Sequence, residues 1–409
     1  MGERYHHRKR KMKIVLLTHP TFMHSKSMPR FAAMLKSGYE KLGYDVSTLS
    51  PSPLFFKLGK WLPKFAKWLG YIDQYIIFPA RLRILFAVKK PRNTVFVFCD
   101  QALGPWVPIL KKYPHVIHVH DLLALKSALG HEKTNKTSWS GKLYQKYIRK
   151  GFEQGKNFIS ISNKTKHDLQ SLSNIKPIVS EVVYNGLNYP YLPLPKNTVE
   201  NIFETNSIEL SHKAYLFNIG GNQWYKNRLG LFYLYQHYVR RSDVCLPLVI
   251  VGPPANNEEK AVIDKIREFD KSAGVVFYSD IGVALLNALY SGARCLLFPS
   301  HEEGFGWPII EAQACGTCVL TTDSAPMNEI AGKHSLLFSS TKGFRDGHID
   351  DWAHENAKKL LDFLRLDEYS TQQLEQKCTD WAANFSEDNT LKAYLSVYEK
   401  SIEQNKKFT

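Results

Sequence analysis

Short apolar runs rich in β-branched residues recur along the chain, and each gives way to a polar or Gly/Pro turn and then to a helical pattern. The first series is KIVLL (13–17), NTVFVF (93–98), HVIHVH (115–120), NFISIS (157–162) and EVVYN (181–185). The second is AYLFNIG (214–220), LPLVIVG (246–252), GVVFYS (274–279), RCLLFPS (294–300) and TCVLTT (317–322). This alternation restricts the fold more than any other feature, because strands separated by helices pair in parallel through crossovers. The class is therefore α/β. Between the two series lies YPYLPLPKNTVEN, whose Pro190, Pro193 and Pro195 suit neither a helix interior nor a central strand. The expected organisation is a doubly wound parallel-sheet domain over residues 1–190, a linker over 191–210 and a second such domain over 211–385. Two such sheets facing each other leave a cleft at the carboxyl ends of their strands, where ligands bind in this class.

A chain of 409 residues, 44% hydrophobic and 13% aromatic, can bury a core in each half, which excludes a disordered chain. The formal net charge of +16 implies attraction to polyanions: phosphorylated ligands, nucleic acid or anionic lipid. Six cysteines (99, 245, 295, 315, 318 and 378) are too sparse and irregular for a disulfide framework and point to a reducing compartment. Cys315 and Cys318 form a C-x-x-C, but they follow the helix-forming run PIIEAQA instead of opening a helix. Packing near a turn is a better reading of that pair than thiol redox chemistry. The apolar stretch near the N-terminus, Ile14 to Leu17, is too short for a secretory signal. No run approaches the roughly 20 apolar residues of a membrane span. The expectation is a cytoplasmic protein, soluble or attached only at the inner surface of a membrane.

One segment breaks the strand–helix rhythm. In residues 55–90, Trp61, Phe65, Trp68 and Leu69 recur at helical spacing while Lys57, Lys60, Lys64 and Lys67 fill another face. A basic amphipathic helix carrying tryptophans suits an anionic membrane surface. The alternative is a helix packed on the N-terminal sheet with solvated lysines.

The chemistry concentrates after three strands. RCLLFPS leads into HEEGFGWPIIEAQACG (301–316), in which Glu303 and Glu311 flank a turn containing Gly304, Phe305 and Gly306. Pro308 suits the first turn of a helix beginning near Trp307. The glycines let backbone N–H groups approach an anion, and the helix dipole adds positive charge there. Glu311, about one turn inside the helix, can accept two hydroxyl hydrogen bonds of the kind a ribose diol offers. Glu303 reaches the opposite end of the same ligand. The alternatives are a Glu311 that merely favours the helix dipole and a solvated Glu303.

A second cluster, FNIGGNQWYKNRLGLF (217–232), brings Gly220, Gly221, Asn222, Lys226 and Arg228 to the end of its strand, where two cations would meet a diphosphate. In the N-terminal half, His120 and Asp121 end the strand HVIHVH. His120 is either a contact for an acceptor or sugar hydroxyl or a core-edge histidine bonded to backbone; His118 reads as structural.

Together these residues resemble the retaining GT-B-fold glycosyltransferases of glycosyltransferase family 4. The resemblance rests on the E-x7-E of Glu303 and Glu311 in EGFGWPIIEAQACG, on IGGNQWYKN, on the HD of His120 and Asp121, and on ISISNKTKHDL followed by VVYNGL. It runs from Lys13 to about Tyr394. It implies a GT-B architecture of two Rossmann-like domains and transfer of a hexose from a UDP- or GDP-linked sugar to a glycan or lipid-linked acceptor, in cell-envelope polysaccharide synthesis. It also implies that Lys226 meets the donor diphosphate, that Glu311 binds the ribose, and that Glu303 with the backbone of Gly304 to Gly306 holds the sugar and phosphate. Glu303, Lys226 and His120 are then the residues at the reacting centre. No cofactor and no metal enter, since nothing resembles a D-x-D, and the acceptor proton goes to the departing phosphate. The last helix, over 386–409, returns to the N-terminal domain. Two departures stand out: the first turn reads THPTFMHSKSMPRF, without the usual glycines, and Gly221-Asn222-Gln223 replaces the usual basic residue, with Arg228 as the candidate substitute.

Two other classes compete with an active transferase. One is a catalytically silent GT-B protein that binds nucleotide; the other is a nucleic-acid-binding protein, for which the dispersed basic residues give little support.

Overall fold

The computed structural model describes residues 12–23, 27–88, 91–132, 135–270, 273–340 and 348–407. The basic residues before 12, part of the first-strand loop (24–26) and the last two residues of the 55–90 segment lie outside the described residues. The chain divides into two compact units, one of residues 1–184 with 388–409 and one of 185–387.

Each unit holds a six-stranded sheet whose pairings are all parallel. The first contains β1 (Lys13–Leu17), β2 (Asp45–Leu49), β3 (Thr94–Phe98), β4 (His115–Val119), β5 (Asn157–Ser160) and β6 (Val179–Val182), in the order 2-1-3-4-5-6. The second contains β7 (Leu216–Ile219), β8 (Leu248–Val251), β9 (Val275–Tyr278), β10 (Cys295–Phe298), β11 (Val319–Thr322) and β12 (Leu336–Phe338), in the order 12-11-10-7-8-9. Both are Rossmann-like α/β sheets. In β1, Ile14 and Leu16 enter one core and Val15 and Leu17 the other, so the strand is apolar on both faces.

Several elements differ from expectation. The run EVVYN is strand only through Val182, because β6 is the sheet edge and begins earlier, at Val179. The strands β2 and β12 carried no clear signal, since each lies at an edge and is only partly buried. Residues 191–210 are not a free linker: Lys196–Thr205 is a helix whose Val199 and Phe203 are buried against Gly292 in the second unit. The first division therefore falls after Tyr184, short of the expected 190.

The final helix, Glu387–Lys407, contributes from Asp388 onward to the first unit's core. Its Leu391, Tyr394 and Tyr398 pack with Phe31, Leu35 and Tyr39. Tyr398 OH and His118 Nε2 are 2.8 Å apart, which fixes His118 in the core.

Segment 55–88 is not one helix. It breaks into short 3₁₀ turns (Phe56–Lys60, Pro63–Phe65), a helix (Ala66–Ile72), a π turn (Asp73–Ile77) and a helix (Phe78–Val88). Pro63 supplies no N–H and opens the second turn. Buried Asp73 accepts from the backbone N–H groups of Phe55 (2.9 Å) and Phe56 (2.8 Å), pinning the start of the segment. Phe78 and Leu82 enter the core, whereas Trp61 is 84% exposed and Trp68 62%. One part of the segment thus packs into the first unit, and another part is exposed.

A close backbone approach supports the first unit. A Cβ on Gly151, in the helix Trp139–Phe152, would lie 2.2 Å from the carbonyl oxygen of Gly104. Gly151→Ala is expected to destabilise the first unit by about 1–3 kcal/mol, read as an earlier urea transition of the fluorescence of buried Trp106.

Candidate active site

The second sheet reverses its order between β7 and β10: chain from β7 runs on to β8 and β9, chain from β10 to β11 and β12. At such a seam the turns leaving the two central strands diverge and leave a crevice at their carboxyl ends. The two clusters singled out in the sequence, 220–228 and 299–311, are those two turns.

They are tied together by backbone and side chain. His301 N–H donates to Tyr225 O (2.7 Å), and Asn227 Nδ2 donates to Pro299 O (2.9 Å). Asn227 itself adopts φ 53° and caps the helix Arg228–Val239 by accepting from Gly230 N–H. Gly252, after β8, lies close behind: a Cβ there would be 2.1 Å from Gly220 O. Gly221 lies half-buried in the same turn, and Asn222 is exposed beside it.

Across the seam Lys226 Nζ donates to Glu303 Oε1 at 2.8 Å, and Ser300 Oγ donates to the same oxygen at 2.9 Å. Lys226 Nζ also lies 5.2 Å from the Phe298 ring centroid, so its charge has an aromatic floor and a carboxylate wall. Glu303 is buried. Beyond it, Gly304 is half-buried and Phe305 is buried between Trp307 and Phe385. Gly306 has φ 102°, which a residue with a side chain adopts only under strain. It caps the helix Trp307–Ala314, with Pro308 in the first turn.

Glu311 is buried one turn inside that helix, where its Oε2 accepts from Tyr290 OH at 2.7 Å. Burial pushes its pKa up from 4.5 to about 7, against the opposing pull of the Tyr290 hydroxyl and the Lys226 charge. The fold thus holds a buried carboxyl one turn from the helix start and supplies one of its hydrogen bonds.

Arg228 departs from expectation. It is buried, paired with Glu259 at 3.3 Å, bonded to Asn222 Oδ1, and donates to Pro253 O at 2.9 Å. Its charge braces the turn from beneath and is not presented to a ligand, because Glu259, in the first turn of the helix Asn257–Phe269, already neutralises it. Cys315 and Cys318 are buried free thiols, and Cys315 Sγ donates to Asn287 Oδ1 at 2.9 Å. This is the packing role expected of them.

In the first unit His120 follows β4 with its ring committed to backbone: Nε2 donates to Cys99 O at 2.9 Å, and the ring stacks edge-on against Phe31. Burial lowers its pKa, opposed by Asp100 and the Cys99 carbonyl. Asp121 accepts from Leu123 N–H at 3.1 Å and from Gln101 Nε2 through its carbonyl at 2.5 Å. Residues that the sequence did not mark are Tyr290, Ser300 and Asn227 in the second unit and Asp100, the partner of His19, in the first. The glycine-free turn after β1 was the one available sign of His19.

Comparison with known proteins gives the same architecture. A family model described as glycosyl transferases group 1 matches residues 202–372, and one described as Glycosyltransferase Family 4 matches residues 28–189. Sucrose-phosphate synthase from Thermosynechococcus elongatus superposes with a TM-score of 0.67 at 16% identity, over 95% of this chain and 99% of that one. The chain has the GT-B fold, and each of its two units matches a glycosyltransferase family model. Among curated relatives, O-antigen chain mannosyltransferase RfbU of Salmonella typhimurium is 25% identical over 73% of each chain. O-antigen chain mannosyltransferase B of Escherichia coli is 23% identical over 47% of this chain, which spans half the length of that relative.

Because the folded pKa of Glu311 lies above its unfolded value, protonation stabilises this GT-B fold at low pH, and that contribution is lost as pH rises through about 7. Glu311→Gln removes the buried charge. It is expected to melt above wild type at pH 8, by about 2–3 kcal/mol at most, and level with it at pH 5, as measured by thermal unfolding at the two pH values.

Proposed function

We propose that the chain is an active, retaining hexosyltransferase that moves a sugar from a nucleoside-diphosphate sugar, UDP- or GDP-linked, to a hydroxyl of a glycan or lipid-linked acceptor. The observation that carries this reading is the seam of the second sheet. One lysine, one carboxylate, a Gly304–Gly306 turn opening a helix and a buried carboxyl one turn further in stand within a few residues of one another in space. Lys226 and the helix N-terminus meet the charge that develops on the leaving diphosphate, which makes the transfer metal-independent. A polyanion arriving there competes with Glu303 for Lys226, freeing Glu303 to accept sugar hydroxyls. Glu311, already held by Tyr290, accepts from the ribose. Asp121 and His120 lie on the acceptor side in the first unit. The names of the two mannosyltransferase relatives favour a polysaccharide acceptor of the cell envelope.

The segment 56–68 supports attachment at the cytoplasmic face of a membrane. Trp61, Leu62, Phe65 and Trp68 are exposed beside Lys57, Lys60, Lys64 and Lys67, the composition of an interfacial surface for anionic lipid. Among the described residues no helix is long and apolar enough to cross a bilayer.

Two measurements test this. Thermal stabilisation by UDP, GDP, ADP and their sugar conjugates should appear for one base. Glu311→Ala and Lys226→Ala should each weaken it tenfold or more in affinity, the loss of a charge-assisted bond of about 1.5–3 kcal/mol. Undiminished binding by both variants would reject the site. Nucleotide-sugar binding without turnover would leave the silent GT-B protein, and salt-dependent DNA binding with no nucleotide response would favour the nucleic-acid reading. For the membrane, Lys60→Glu/Lys64→Glu should cosediment with phosphatidylserine vesicles at least fivefold less than wild type, since each basic residue near the surface is worth about 1 kcal/mol; equal cosedimentation would return the segment to a solvated surface.

A further inference from the structure

The first sheet has a seam of its own. Its order reverses between β1 and β3, the chain running from β1 to β2 on one side and from β3 to β4, β5 and β6 on the other. The turns at this seam begin at Thr18 and Cys99, and the second residue past each strand is His19 on one side and Asp100 on the other. They meet, with His19 Nε2 2.8 Å from Asp100 Oδ2 and both side chains largely buried, at 15% and 12% exposure. The second unit places Lys226 against Glu303 at the corresponding seam.

The geometry settles which ring nitrogen meets the carboxylate. Asp100 Oδ1 accepts from Ala102 N–H at 3.0 Å, which caps the turn Gln101–Trp106 and fixes the carboxylate. Burial raises the Asp100 pKa, but the hydrogen bond and charge of His19, with His120 and Ala102 N–H, outweigh it and leave the group below the ordinary carboxylate range. An ionised Asp100 accepts only, so Nε2 of His19 carries the proton. In the neutral ring Nδ1 then carries a bare lone pair, and no described residue hydrogen-bonds to it. His120, one strand over, is occupied with the Cys99 carbonyl and packed edge-on against Phe31.

We propose that His19, oriented by Asp100, holds the sugar acceptor in the first unit by accepting a hydrogen bond from the acceptor hydroxyl through Nδ1. Asp100 is then a positioning residue, and His120 supports the turn without touching the acceptor. The inference rests on the transferase reading above and assigns the acceptor contact within it.

The test uses the full-length chain, the nucleotide sugar selected by thermal stabilisation, and a panel of nitrophenyl hexosides as acceptors. His19→Ala should lower kcat/KM for the acceptor at least tenfold while leaving the nucleotide-induced melting shift and the hydrolysis of donor by water unchanged. His19→Asn, whose amide oxygen falls near the place of Nδ1, should recover part of the loss. Asp100→Asn should lower acceptor kcat/KM and shift His19 away from the Nε2–H tautomer in long-range proton–nitrogen spectra. Transfer by wild type with full acceptor kcat/KM in His19→Ala would overturn the inference and leave the transferase reading standing. A His19→Ala variant that loses the nucleotide shift or melts early would overturn it in favour of a structural role. Transfer by wild type to no member of the panel, from any conjugate, would overturn both.

Discussion

Parallel pairing of β7 with β10 is the constraint on which the rest of the candidate site depends. Two strands far apart in sequence, in register at Cys295 with Leu216 and Leu296 with Phe217, bring their following turns to one edge of the sheet. The candidate residues of this unit are placed by that adjacency: Lys226 from one turn, Glu303 from the other, and Glu311 on the helix that the second turn launches. The bond between Lys226 and Glu303 is a consequence of this pairing and not its cause, because the ladder and the cores on both faces hold the strands whether or not the two charges meet.

The cost of collecting charge at such a seam is visible around it. Glu311 is buried, the Tyr290 hydroxyl and the Lys226 charge do not offset the loss of water, and its proton affinity rises accordingly. Arg228, by contrast, is neutralised within its own unit by Glu259, Asn222 and the Pro253 carbonyl, and stiffens the turn that carries Lys226. Two cations two residues apart thus have different partners. The difference lies in which helix faces each one: Glu259 occupies the first turn of Asn257–Phe269, directly beneath Arg228.

Much of this was legible in the sequence, and the part that was not has a common physical reason. Interior strands such as β1, β3 and β10 are buried on both faces, so they read as unbroken apolar runs. The edge strands β2 and β12 are half-covered and lose that signal. Gly306, Pro308, Glu303 and Glu311 were readable because a turn that opens a helix requires particular residue types at fixed spacing. Tyr290 and Asp100 were not, since each acquires its meaning from a partner brought by the fold, Glu311 across 21 residues and His19 across 81. Arg228 misled for the same reason: its position beside Lys226 is local, whereas its neutralising partner is not. The 55–88 segment was read as one helix because spacing records which side chains could align, and does not record that Asp73 would fold the chain back on Phe55 and Phe56.

The placement of the last helix also sets an order of assembly. Phe31, Leu35 and Tyr39 precede the second unit along the chain, yet Leu391, Tyr394 and Tyr398, which cover them, follow it. During synthesis the second unit has its whole sequence available before the first does. The apolar face of the first unit therefore waits, uncovered, through the making of some two hundred intervening residues, and of the two units the one started earlier is completed later.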